Sequence, residues 1–180
     1  MTDAIGLASD RGASRTMLYE VVLQSYLFLG FPRMLIAAEV LDKVLPAHQA
    51  DPMTRPITQE ESKEWFDRGI SLCRRVYDSN YEALRYKVEG IAPEIFRWMI
   101  VEGYGKVLSR PGLDSVNREL SVSSFLMMED RAQQLYSHMR GALNVGSTPE
   151  LLKQVIEDIG DAAGPGYETA RDILTRLGID

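Results

Sequence analysis

Apolar residues recur along this chain at spacings of three and four, separated by polar, glycine-rich or proline-rich breaks. That period belongs to amphipathic helices, and no alternation long enough for a strand interrupts it, so the chain reads as all-α. Residues 1–13 are small, polar and glycine-containing, and are expected to fray. Ser14 suits the cap of a first helix running to about Leu29, with Met17, Val21, Val22, Leu23, Leu27 and Phe28 at its apolar positions. Gly30 is expected to end it. Pro32 suits the first turn of the next helix, which carries Met34, Leu35, Ala37, Ala38, Val40 and Leu41 and stops near Pro46.

Residues 46–57 hold three prolines and no periodicity, and read as a linker. Thr58-Gln-Glu-Glu61 is a capping box ahead of a helix over 59–77. Asp78-Ser-Asn80 breaks that helix, a short one follows over 80–89, and Pro93 opens another over 94–108. Pro111-Gly112 makes a turn, and Asp114 caps a helix over 115–128. Asp130, with Gln133 three residues on, is expected to cap an antiparallel partner over 131–144. Thr148-Pro149-Glu150 starts a helix that Gly164-Pro-Gly166 ends, and a last helix runs over 167–177. The whole reads as one all-α domain over 1–180, with an N-terminal hairpin at 14–45, the linker, and a larger unit at 58–180. The segment from Tyr19 to Leu41 echoes that from Glu150 to Leu174, each being a helix, a Gly/Pro corner and a second helix.

At 180 residues one domain with a sizeable core is the default. A formal net charge of −6 gives no electrostatic footprint for nucleic acid or an anionic membrane surface. No apolar run has the length of a membrane span, and none follows a basic N-terminal segment, so a cytoplasmic address is expected. The single cysteine, Cys73, excludes an intramolecular disulfide and a Cys-x-x-Cys centre. His48 and His138 are the only histidines and lie far apart, so a His-rich metal site is not expected, while His138 together with carboxylates stays open as one.

Glu119 and His138 carry the most information. If 115–128 and 131–144 form a helical hairpin, the two residues stand at the same height on its arms. A carboxylate facing an imidazole is an acid/base pair. The same placement also describes a surface pair or a hydrogen-bonded core pair.

Around them, Tyr104-Gly105, Arg110-Pro-Gly-Leu-Asp114, Arg118-Glu119-Leu120, His138, Arg140-Gly-Ala-Leu-Asn144, Gly146, Thr148-Pro-Glu150 and Gly164-Pro165 follow in order. This stretch resembles the carboxymuconolactone decarboxylase family, which includes the alkylhydroperoxidase D proteins. Residues 60–103 match it more loosely, and the first 45 resemble only the family's terminal hairpin. The resemblance implies an alkylhydroperoxidase D-like helical bundle that assembles as homotrimers or hexamers, and it offers two chemistries. The peroxidase branch uses a Cys-x-x-Cys pair between the Glu and the His. Arg131 and Gln134 occupy those positions here, so that activity is not expected.

The decarboxylase branch needs no cofactor and acts on a small-molecule carboxylate or lactone. In it His138 would donate the proton and Glu119 would orient it. Arg110, Arg118 or Arg140 would bind a carboxylate, and Tyr104 would add a hydroxyl. Phe125, Met128, Leu135 and Met139 are expected as apolar walls, and Arg33 as a residue approaching the pocket. Structural roles stand beside these: Arg110 as a tie between loop and helix, Arg118 in an ion pair with Asp114, Tyr104 and the methionines as core. Two alternatives complete the reading, a non-catalytic oligomeric scaffold and a redox protein using Cys73 alone.

Overall fold

A computed structural model describes residues 2–47 and 55–179. His48 and most of the expected linker lie outside them. Among the described residues every regular element is helical, as the apolar spacing predicts.

The N-terminal region departs from expectation in two places. Thr2–Asp10 is not frayed but forms helix α1, which buries Ile5. Helix α2 (Arg15–Gln24) begins as expected, with the Ser14 hydroxyl accepting from the Met17 amide. It ends at Ser25 rather than Leu29, because the Ser25 hydroxyl donates to the Val22 carbonyl and the chain bends by 118° into α3 (Tyr26–Val44). Gly30, the expected terminus, is instead a kink inside α3, at φ 79°. A side chain would be strained at that angle.

The Thr58–Glu61 capping box is present in full ahead of α4 (Gln59–Tyr77). A short 3₁₀ turn leads to α5 (Tyr81–Ile91). The helix expected over 94–108 divides into α6 (Pro93–Trp98) and a π-helical segment, Met99–Leu108. This segment lies backbone against backbone on α4. A Cβ at Gly105 would overlap the Trp65 carbonyl, and one at Gly69 would overlap the Ile100 carbonyl. Two glycines on facing elements make that approach possible, and the wide turn is the shape the backbone adopts while pressed there.

Helices α7 (Ser115–Met128) and α8 (Ala132–Asn144) form the expected hairpin, and Asp114 caps α7 through the Asn117 amide. Asp130 does not cap α8. It sits at φ 51°, and its carboxylate accepts from the Thr169 hydroxyl, so it ties the hairpin turn to a later helix. Thr148 caps α9 (Pro149–Ile159), a 3₁₀ turn follows, and α10 (Pro165–Arg176) closes the fold. The two echoing hairpins share an order of elements but not a geometry. The first turns at a serine and the second through a 3₁₀ stretch.

The core lies between α7, α8, α9 and α10, with α4 and the π-helical segment completing it. Val122, Met127, Leu135, Met139, Leu152 and Ile156 are sealed from water. Truncating any of the Leu, Ile or Met side chains to Ala would cost about 2–5 kcal/mol. Met127 and Met139 are therefore packing residues, whereas Met128 is exposed. Among the described residues no single helix is long and apolar enough to cross a membrane. The bent pair α2 and α3 passes that test only when taken together, and α2 buries Glu20 and Gln24.

Candidate active site

Helices α7 and α8 bring Glu119 and His138 face to face. Glu119 Oε2 lies 2.8 Å from His138 Nδ1, and the two residues are only 2% and 6% exposed. With the carboxylate as acceptor, Nδ1 carries the proton and Nε2 is the free ring nitrogen. Two aromatic rings hold the imidazole edge on: Phe28 of α3 at 5.5 Å between centroids and Tyr77 of α4 at 6.4 Å.

His138 also lines a cavity of about 400 Å³, within the range of small-molecule sites. Its wall is mainly apolar, with Leu27, Phe28, Ile95, Trp98, Met99 and Leu108 contributing. The polar lining is Tyr77, Tyr104, Gln134 and Glu102. Tyr104 thus stands where the sequence expects it. Burial pushes its phenol well above the ordinary value, with the Tyr77 and Glu119 charges adding to the effect. Tyr77 is pushed up to about 12, again mainly by burial. Both phenols therefore stay neutral at working pH and serve as hydroxyl donors. The expected walls are not the observed ones. Phe125, Met128, Leu135 and Met139 do not line the cavity, because Leu135 and Met139 point into the core and Met128 into solvent.

The three expected arginines are also elsewhere. Arg118 is buried at 2% exposure, and its guanidinium donates to Glu20 Oε2 at 2.8 Å, Gln24 Oε1 at 3.0 Å and the Arg110 carbonyl at 2.9 Å. Its Nε is left without a partner. Arg110 grips the same Glu20 carboxylate at 3.0–3.1 Å. These two arginines join α2 to the start of α7 rather than reaching a ligand, and neither pairs with Asp114. Arg140 lines a separate recess beside Tyr77. Arg33 pairs with Glu129 and is exposed. Among the described residues, then, no lysine or arginine lines the cavity at His138. Lys106 holds Glu102, one of the lining residues, at 3.1 Å.

Of the cavity lining, sequence reading found only Tyr104 and His138. Phe28 and Leu27 look like ordinary helix-face residues, and Tyr77 like a helix terminus. Gly141 looks like part of a motif, but it lies under the pair, where an added Cβ would come 2.9 Å from Glu119 Oε2 and 2.7 Å from Val76 Cγ1. A redox role for Cys73 is not supported. The thiol is sealed in the core, and burial, with Glu119 nearby, pushes it up to about 12. Among the described residues no group of His, Cys, Asp and Glu is placed to hold a metal ion. No family model matches the chain, and no curated protein matches it.

Proposed function

We propose that this chain is a cofactor-free acid/base enzyme of the carboxymuconolactone decarboxylase kind, transferring a proton on a small, largely apolar lactone or related carbonyl compound. The observation that carries this reading is the buried Glu119–His138 pair with the imidazole facing a cavity. Glu119 holds the Nδ1 proton, so Nε2 is the atom that takes a proton from a carbon beside the carbonyl and returns it. The neutral Tyr77 and Tyr104 hydroxyls are the donors available to the enolate oxygen that develops. The mainly apolar wall lowers the polarity around that charge, which strengthens the hydrogen bonds made to it.

The lining favours a neutral lactone over a carboxylate. A substrate carboxylate placed there would be buried without a lysine or arginine opposite it, an arrangement that costs several kcal/mol. Decarboxylation, which the family resemblance also implies, would need that cation from outside the described residues. A homo-oligomer belongs to the same reading. Its support is the exposure of Phe31, Leu35 and Ile36 on α3 and of Ile91, Ile95 and Trp98 at α5–α6. Sedimentation velocity would give the assembly size.

The test is hydrogen–deuterium exchange at carbon. Unsaturated lactones, with and without a carboxylate, are incubated with the protein in D2O and followed by NMR. The wild type is expected to exchange the position next to the carbonyl. His138→Gln should reduce that rate about 10²–10⁴-fold, the usual worth of a general acid/base. A wild type that exchanges nothing across the panel would sink the proposal.

A further inference from the structure

The recess that contains Arg140 lies between the end of α4, α5 and α8, and measures about 310 Å³. Tyr77 lines both it and the His138 cavity, so the two spaces are neighbours. Its charge balance is unusual for a chain with a net charge of −6. Lys87 and Arg140 are both in the lining, and no Asp or Glu is. The carboxylates of α5 are committed elsewhere, Glu82 to Arg74 and Glu89 to Arg85. Neither Lys87 nor Arg140 has an ion-pair partner among the described residues. Asn80 adds an amide that caps no helix. The groove at Arg68 and Arg75 is a weaker case, because Asp67 and Asp114 share its lining and Arg110 there is already held by Glu20.

One side of the recess is apolar, formed by Val76, Ala83, Leu84 and the Tyr77 ring. A guanidinium offers a planar fork to two oxygens, and an ammonium adds a point charge. An oxyanion carried on a short apolar body satisfies both halves of the site. We propose that this recess binds a small organic anion, an aryl carboxylate or a phosphate monoester, with Arg140 gripping the oxyanion and Lys87 supplying the second charge. The site is separate from the one at His138 and does not rest on the acid/base reading.

Isothermal titration calorimetry of the intact chain tests it, with benzoate, phenyl phosphate and inorganic phosphate as probes. The proteins are wild type, Lys87→Ala, Arg140→Gln and, as a control away from the recess, Arg171→Ala. Saturable binding of benzoate or phenyl phosphate is expected, and the tighter of the two names the head group. Lys87→Ala and Arg140→Gln should each weaken it by about tenfold or more, as for loss of a charge-assisted hydrogen bond. Arg171→Ala should leave it unchanged. Lys87 is exposed, so its variant keeps the test valid even if the half-buried Arg140 proves necessary for folding. The proposal is overturned by no saturable binding of either organic anion, by binding indifferent to Lys87→Ala, or by inorganic phosphate binding as tightly as the organic probes.

Discussion

Phe28 meets the His138 ring edge on at 89°, so the N-terminal hairpin supplies one of the two aromatic walls that hold the imidazole. The hairpin is therefore part of the site and not an appendage to it. Phe28→Ala is expected to let water reach the imidazole and lower kcat/KM for the lactone exchange about 10–100-fold. Because Phe28 is only half-buried, its stability cost should be about 1–3 kcal/mol, below that of a sealed core Phe. Urea unfolding alongside the exchange assay separates the two effects.

One carboxylate, Glu20, serves two guanidiniums, and one of them is sealed from water. Glu20→Ala leaves Arg118 buried without its counter-charge, and should cost about 3–5 kcal/mol. Replacing both partners with apolar residues, Glu20→Leu with Arg118→Met, should recover most of that loss, because no buried charge is then left unpaired. A double-mutant cycle from urea midpoints measures the coupling. A double variant whose loss equals the sum of the Glu20→Leu and Arg118→Met losses would show that the ion pair itself does not hold α2 in place.

Gly141→Ala is expected to act on the acid/base pair through space. Its methyl would press on Val76 and on the Glu119 carboxylate, forcing one of them to move. The stability cost should be about 1–3 kcal/mol, typical of overpacking. The exchange rate should fall by more than Val76→Ala alone reduces it. Combining Gly141→Ala with Val76→Ala should restore stability by making room.

The thiol at Cys73 is expected to be inert in the folded protein. Its folded value, pushed up to about 12, lies above the ordinary 9.0. Burial of the neutral thiol therefore contributes its full stability below pH 9, and that contribution is lost as pH rises from 9 towards 12. A disulfide-exchange reagent at pH 8 should label Cys73 only after unfolding, and Cys73→Ala should leave the lactone exchange rate within about twofold. Rapid labelling of the native protein would contradict the sealed position.

The helices were legible in the sequence because local signals mark them. Thr58, Asp114 and Thr148 each sit where a side-chain oxygen meets the first free amides, and the apolar spacing did the rest. Asp130 shows the limit of such signals. It has the local chemistry of a cap, but a distant hydroxyl at Thr169 claims its carboxylate. The π-helical segment was hidden for the same reason, since only the contact with α4 distinguishes it from an α-helix. Of the site, the Glu119–His138 juxtaposition could be read because both residues lie on one hairpin with its turn near their midpoint. The arginines were misplaced because a charge says nothing about its partner. Glu20, far away along the chain, takes two of them.

The back of the cavity and its front are built from different materials. Behind it, α4 and the π-helical segment touch main chain to main chain at Gly69 and Gly105, so those two elements cannot part without breaking a backbone contact. In front, the N-terminal hairpin is moored by side-chain contacts: Glu20 to two arginines, Tyr26 to Glu102 and Arg33 to Glu129. In the enzyme proposed above, the moored side is the one whose movement would widen the cavity. Turnover in such an enzyme would be paced by the slackening of polar ropes, and the exposed Arg33–Glu129 tie is the one that ionic strength would loosen first.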